Sequence, residues 1–442
     1  MSAGETVRAG PGPRFHQGSL WVRAVVYALT VALCVPAKLL EPMAVAGHPL
    51  LVPLLTLGMA LAWVLGRNGR MPAIGGNLSL LWLSLSVFFG LVLVSSWVSP
   101  DRSTSLSLCG AYLARLVLFF VLVQICVDDP GLERNLARLF PIALAVLALL
   151  MVSGSLESLG HVTWVGDLTH GFILRASAGI GDPNLTAFAF NIGLALALAW
   201  FAGERRAARK VLALLVSLVL VWGIGRTVSI GGLIGLLVVL VLSAWFLFPK
   251  AGRRGGTLIM ALILGLFSII VLAAGGVYLE RIHTQVIRSE HSIGAVGSER
   301  LNLALGGIAM AASHPLWGVG LANINADMPP YLPFPISDPN QGPHDLWLAV
   351  PDESGIPSLL ALTVAGGIIF WLGWRAHSRL RASPDRESYF RHTGLWVATL
   401  ASAVQSLALG TQRDRFFWFL LALLVASAWQ TLALLRAPVP GN

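Results

Sequence analysis

The stretch LERIHTQVIRSEHSIGAVGSERLNLALGGIAMAASHPLWGVGLANINADMPPYLPFPISDPNQGPHDLWLAVPDESGI, residues 279–356, decides how the chain is read. It is the longest interval between strongly apolar segments, and it holds the most concentrated polar chemistry. Arg281, His283, Arg288, Glu290, His291, Glu299 and Arg300 come first, then Ser313-His314-Pro315, then Pro343-His344-Asp345-Leu346-Trp347. On either side, apolar runs of about 20 residues recur, each long enough to cross a bilayer as a helix. The chain has 442 residues, 56% hydrophobic and 12% charged, whereas about a quarter of the residues of a soluble domain are charged. Barrel strands would alternate apolar and polar over about ten residues, and these runs do not. The expected fold is an all-α polytopic membrane protein with a large loop facing outward.

Twelve spans are expected, at about 21–40, 49–65, 77–98, 106–127, 137–153, 184–202, 211–225, 229–248, 257–279, 355–374, 392–410 and 416–435. Residues 1–278 then carry the first nine helices with short loops, 279–354 the large loop with amphipathic helical character, and 355–442 the last three helices. The short seventh span ends at Gly223-Ile224-Gly225-Arg226 and pairs with the eighth as a tight helical hairpin. Within the large loop, Ser298–Ala312 reads as an amphipathic helix ending near His314-Pro315.

The net charge of +9 sits mostly in short loops between apolar segments. Positive residues are retained on the cytoplasmic side of a membrane, so the surplus is read as topology, and nucleic acid is not an expected partner. Twenty of the 30 Lys and Arg residues fall on one side of the layout and ten on the other. Loops such as Glu204–Lys210 and Lys250–Arg254 set the sign. Both termini are therefore expected in the cytoplasm and the large loop outside. No cleavable signal peptide is apparent, and the first apolar run serves as the insertion signal. Cys34, Cys109 and Cys126 all lie in apolar segments, which argues against a disulfide framework or a zinc site.

Arginines on the outward side oppose the topological rule, so each invites a reason. Arg175 precedes Gly181-Asp182-Pro183-Asn184, where Asp182 or Asn184 can cap the next helix. Arg226 sits at the hairpin tip, Arg300 near the start of the amphipathic helix, and Arg413 and Arg415 in the turn before the last span. Single arginines at span ends commonly snorkel to lipid headgroups. A shared side, with turn-forming residues beside Arg175, Arg226 and Arg300, favours an anion site, because planar guanidinium groups bind phosphate oxygens in pairs. Arg115 falls in mid-span, where charge is costly and normally faces the bundle interior; the sequence names no partner for it.

His344 follows a proline and opens Asp345-Leu346-Trp347-Leu348-Ala349-Val350. Its pKa near neutrality suits it to take a proton from a hydroxyl and release it, although a lone histidine is more often a capping or interfacial residue. Asp345 adjoins it, and Glu353, nine residues on, is placed to fold back toward it. His283, His291, His314 and His344 lack the close spacing of zinc ligands, and the outward carboxylates form no divalent-cation cluster. No metal and no cofactor are expected.

Three pieces together resemble the O-antigen ligase and polymerase superfamily of bacterial envelope glycosyltransferases. They are Arg175 with Gly181-Asp182-Pro183-Asn184; Arg300 leading to His314-Pro315-Leu316-Trp317-Gly318-Val319-Gly320-Leu321-Ala322-Asn323; and Pro343-His344-Asp345-Leu346-Trp347-Leu348 with Glu353-Ser354-Gly355-Ile356-Pro357. With the hairpin tip at Arg226, the resemblance covers roughly residues 160–375. Two features depart from it: Asp345 stands where the family commonly has asparagine, and Arg226 is followed by Thr227-Val228-Ser229 where relatives often show glycine or alanine.

The resemblance implies a GT-C-like membrane architecture and metal-independent, inverting transfer of a polysaccharide from undecaprenyl pyrophosphate at the periplasmic face of the inner membrane. For a ligase the acceptor is the lipid A-core oligosaccharide; for a polymerase it is another lipid-linked repeat; a protein O-oligosaccharyltransferase is a third possibility. In that scheme His344 is the general base, Arg175, Arg226 and Arg300 bind the pyrophosphate, and Asp345 and Glu353 support them. The twelve-span layout and the late position of the loop favour the ligase. A transporter, the alternative from another class, predicts charged spans, discontinuous helices and an internal repeat. Apart from Lys38 and Arg115 the spans carry almost no charge, and no repeat is visible.

Overall fold

A computed structural model describes residues 18–36, 44–45, 48–49, 51–66, 77–153, 162–167, 171–178, 182–247, 265, 293–334, 345–407, 409–411 and 414–434. The expected ninth span, 257–279, lies outside these apart from residue 265, and so does His344. Helices occupy every other position where a span is expected: α1 (Gly18–Leu33), α2 (Leu51–Gly66), α3 (Asn77–Val98), α4 (Arg102–Asp128), α5 (Pro130–Val152), α6 (Pro183–Gly203), α7 (Ala207–Arg226) and α8 (Ile230–Leu247). After them come α9 (Ile293–Ser313), the single turn α10 (Ile324–Asp327), α11 (Leu346–Ala382), α12 (Arg386–Gln405) and α13 (Arg415–Leu434). Among the described residues eight helices are long and apolar enough to cross a membrane: α3 to α8, α11 and α13. α1 and α2 are shorter, at 16 residues each. The chain is not purely helical, since β1 (Ala44–Val45) pairs with β2 (His48–Pro49), and β3 (Val162–Asp167) with β4 (Gly171–Ala176), as two antiparallel hairpins.

Aspartate starts the helices. Asp101, Asp129, Asp182, Asp345 and Asp385 precede α4, α5, α6, α11 and α12, each accepting a hydrogen bond from a backbone N–H of the first turn. Asp414 does the same for α13, through Phe416 N at 2.8 Å and Phe417 N at 3.1 Å. A carboxylate there meets orphan N–H groups and the positive end of the helix dipole. That role absorbs much of the sparse acidic content. Proline follows Asp129 and Asp182 at the first helical position, where its missing N–H costs nothing.

α6 is the centre of the bundle, packed by α5, α7, α8 and α12. Close crossings are made by small residues: a methyl group on Gly232 would come within 2.5 Å of the Ala187 Cβ, and one on Gly193 within 3.0 Å of Leu144. Packing of this kind drives helix association where the surrounding lipid is as apolar as the core. A second layer of aromatic rings joins α4, α5 and α13 through Phe119, Trp418, Phe140 and Phe419.

One end of the bundle is tied by ion pairs. Arg23 meets Asp129 at 2.6 Å, Arg391 meets the fully buried Glu133 at 2.9 Å, and Arg138 reaches Glu387 at 3.1 Å and Glu204 at 3.7 Å. These basic residues are among those the sequence assigns to a common side. Twenty helical residues, about 30 Å of rise, separate this end from the tip of the α7–α8 hairpin, so the hairpin tip and the start of α6 lie at the opposite end.

Candidate active site

At that opposite end, α11 is two arms rather than one rod. Gly355 has φ 82° and ψ 164°, a conformation open essentially to glycine alone, and it breaks the helix between an arm at 346–354 and an arm at 356–382. The arms fold back on each other: Leu346 and Leu362 line the same cavity, and both arms pack on Phe88 and Val92 through Leu346, Val350, Leu359 and Leu362. The first arm is a half-helix whose N-terminus is capped by Asp345. The tenth span thus differs from expectation. Residues 346–354 read as loop because Pro351, Asp352, Glu353 and Ser354 interrupt the apolar run, yet they form a helix.

The His-Pro-Leu-Trp-Gly-Val-Gly segment is a bracket around that break. Val319 N donates to Asp352 O at 2.8 Å, Gly320 N to Glu353 O at 3.0 Å, and Ile356 N to Pro315 O at 2.8 Å. The carbonyls freed where the helix stops are therefore paired, as buried backbone must be in a membrane. Gly318 (φ 64°) and Gly320 (φ 93°) supply left-handed conformations, and a Cβ on either would collide with Asp352 O or with Ser99. From α3 and α4, Ser95 Oγ donates to Glu353 O at 2.6 Å and Ser105 Oγ to Leu321 O at 3.0 Å. Asn323 Nδ2 donates to Ser99 Oγ at 2.5 Å and to Val319 O at 3.0 Å. The sequence gives little signal for these serines, because each is a single small polar residue near a span end.

The candidate site residues are placed as follows. Asp345 is the cap of the half-helix, its Oδ1 accepting from Leu348 N at 2.7 Å, so it fixes the backbone immediately after His344. Glu353 stands at the other end of that arm, about 12 Å along the axis, and its Oε1 accepts from Ala322 N at 3.2 Å. The geometry gives Glu353 a place in the bracket. Arg300 lies in α9, which begins earlier than expected, at Ile293. α9 runs beside the half-helix: Gly307 faces Asp352 and Leu348, and Leu303 shares an apolar cluster with Ala349. Residue 300 is two turns before Gly307 in α9. Arg175 is in β4, its backbone paired with Thr163.

Arg226 closes α7 and its side chain is exposed. The tip after it is tightly built: Thr227 Oγ1 donates to Ile224 O at 2.7 Å, and Val228 takes φ 46°. Ser229 caps α8 through Gly232 N at 3.0 Å and donates to Asn184 Oδ1 at 2.7 Å. Of the two possible caps for α6, Asp182 does the capping and Asn184 instead holds the hairpin tip. Two sequence pieces far apart in the chain, Gly181-Asp182-Pro183-Asn184 and the tip at Arg226, are joined by that bond.

The turn between α12 and α13 links the tip to the half-helix. Gln405 Nε2 donates to Gly231 O at 3.3 Å, and Leu346 N donates to Ser406 O at 3.1 Å. Ser406 and Thr411 hydroxyls share a 2.5 Å hydrogen bond, and Asp414 N donates to Thr411 O. Burial pushes the Asp414 carboxyl above the usual carboxylate range, against the pull of the Phe417 and Phe416 N–H groups, Arg415 and Arg115. Arg115, which the sequence leaves without a companion, is thus electrostatically coupled to Asp414 beside this turn. Arg413 lies outside the described residues. The start of the half-helix, the α7–α8 tip, the start of α6 and the α12–α13 turn form one connected set.

Residues 215–363 match the family model described as O-antigen ligase (Wzy_C). Over that stretch the chain is similar to the O-antigen ligase family. The matched stretch begins within α7, takes in the hairpin tip, α9, the bracket and the half-helix, and stops two turns into the second arm of α11. Arg226, Arg300, His344, Asp345 and Glu353 all fall inside it, while Arg175 precedes it. No curated protein matches the chain.

Proposed function

We propose that the protein is an O-antigen ligase of the bacterial inner membrane. It transfers O-antigen polysaccharide from undecaprenyl pyrophosphate to the lipid A-core oligosaccharide at the periplasmic face. The observation that supports this reading is the coincidence of the O-antigen ligase match with the half-helix that begins after Asp345 and with the hairpin tip at Arg226, which are linked through the α12–α13 turn at one end of the bundle.

In this mechanism a hydroxyl of the acceptor sugar attacks the anomeric carbon of the lipid-linked sugar. His344 takes the hydroxyl proton as the carbon–oxygen bond to pyrophosphate breaks. The bond's electron pair leaves with undecaprenyl pyrophosphate, and Arg175, Arg226 and Arg300 stabilise the charge that develops there. The positive end of the half-helix dipole acts in the same direction. Asp345 holds the segment carrying His344 in place by capping the half-helix, and Glu353 holds the other end of that arm against Ala322. No metal enters the scheme.

The test is reconstitution. Purified protein given undecaprenyl pyrophosphate-linked polysaccharide and lipid A-core should shift the acceptor on a gel by the size of the polysaccharide. Chain growth on a lipid-linked repeat unit, with lipid A-core left unmodified, would instead identify a polymerase. Transfer to a protein acceptor alone would identify an oligosaccharyltransferase.

A further inference from the structure

Asp352 lies in the last turn of the first arm of α11, and it is fully buried. Neither carboxyl oxygen has a hydrogen-bond partner among the described residues, and it is the one buried carboxyl there with both oxygens so placed. The aspartates that start helices meet backbone N–H groups. Asp352 stands at the opposite end of a helix, where the free backbone groups are carbonyls and the dipole disfavours negative charge. Its side chain faces α9. A methyl group on Gly307 would come within 2.9 Å of Asp352 Oδ2 and 3.5 Å of Leu348 Cβ, so the bare backbone at Gly307 makes the room that the carboxyl fills. Around this contact Leu303, Met310, Val319, Ile324, Met328 and Ala349 form one buried apolar cluster.

The charges near Asp352 give it no relief. Asp345, two turns earlier on the same arm, acts on it with like sign, and from α9 only the Ala311 N–H opposes that effect. Glu353, next in the chain, is turned to Ala322 N, and His314 is bonded to the Tyr331 hydroxyl at 2.9 Å. From Leu301 to Ser313 α9 has no titratable residue, α3 has none, and the one on α10, Asp327, is also acidic. An unpaired carboxylate in such a contact is so costly that the group takes up a proton instead. We propose that Asp352 is a proton-operated latch between α9 and the first arm of α11. As a neutral acid it lets α9 seat on the arm at Gly307; when it gives its proton to solvent, the buried charge and the repulsion from Asp345 drive the two helices apart. The folded chain then holds a proton that the unfolded chain releases, so rising pH weakens the seated state. On the functional reading above, α9 carries Arg300 and the arm follows His344, so the latch makes transfer fall reversibly as the pH rises.

The experiment compares the full chain in detergent with Asp352→Asn and Asp352→Leu, two neutral replacements of similar size. Infrared difference spectra at neutral pH should show a protonated-carboxyl C=O stretch in the unaltered chain that is absent from the asparagine variant. A carboxylate band in its place would overturn the proposal. From about pH 5 to about pH 9 the unaltered chain should lose thermal stability more steeply than either neutral variant, the ratio of unfolding constants changing by up to about tenfold per pH unit. Parallel curves would overturn it. In the reconstituted transfer assay the asparagine variant should match the unaltered chain at the acid end and decline less toward the alkaline end; an identical decline would overturn the link to the site. A chain that transfers no polysaccharide at any pH would count against the proposed function instead, and the infrared and stability results would still decide the latch.

Discussion

Replacing His344 by alanine is expected to lower polysaccharide transfer by about 10²–10⁴-fold, the range a positioned general base contributes, while the protein still inserts and binds the lipid-linked donor. The expectation rests on what holds residues 345 and 346, which follow His344 in the chain. Asp345 caps the half-helix, Leu346 N is bonded to Ser406 O, and Gln405 beside it is bonded to Gly231. The backbone at residues 345 and 346, next in the chain to His344, is thus fixed from two sides, and in the proposed mechanism the acceptor hydroxyl meets the imidazole there. The proper comparison is initial transfer rate at saturating donor, with donor binding measured in parallel. Full transfer by the alanine protein would remove His344 from the mechanism.

Gly355→Val should be almost as damaging, by a different route. A Cβ at this position would collide with the Leu316 carbonyl and approach the Trp317 nitrogen, and the φ of 82° is itself unfavourable for a branched residue. Strain and overpacking of this kind cost about 3 kcal/mol or more. The cost falls on the bracket, so the half-helix would lose its fixed angle and its N-terminus at Asp345 its place. Thermal unfolding in detergent should show a lowered melting temperature, with transfer lost even below it. Gly355→Ala, with the same backbone problem and less bulk, should fall between. Wild-type stability and transfer in the valine variant would mean that the break at Gly355 does not hold the site.

These two residues also show what could be read from the chain and what could not. His344 stands out because a titratable group between a proline and a capping aspartate is visible in one dimension. The bundle was legible for the same reason: each apolar run carries its own evidence of burial, and the expected segments among the described residues coincide with helices. The half-helix was not legible. Pro351, Asp352, Glu353 and Ser354 look like loop until the pairing of Val319 and Gly320 with the carbonyls of 352 and 353 is known, and that pairing joins residues about thirty positions apart. Likewise, nothing adjacent to Asn184 announces Ser229 as its partner. Arginines at span ends look alike in sequence. Arg226 at a built tip and Arg205, Arg206 and Arg209 at the opposite end of the bundle differ only in what faces them.

A discontinuous helix was the mark expected of a transporter, and α11 supplies one. Its break lies at one end of the bundle and is fully bracketed by backbone hydrogen bonds, and the first arm ends in a capped N-terminus beside Arg226's hairpin. Half-helices of this kind present their positive end to an anion in transporters, and the same physics serves a pyrophosphate leaving group. The O-antigen ligase match over this stretch favours the enzyme.

The most direct measurement is an experimental structure of the protein with undecaprenyl pyrophosphate bound. The account predicts the pyrophosphate between the start of the half-helix at residue 345 and the α7–α8 tip, with the Arg226 guanidinium on a phosphate oxygen and the His344 ring facing the side where the sugar would stand. Pyrophosphate seated elsewhere, whether among the arginines at the opposite end of the bundle or on the lipid-facing side away from the half-helix, would contradict it.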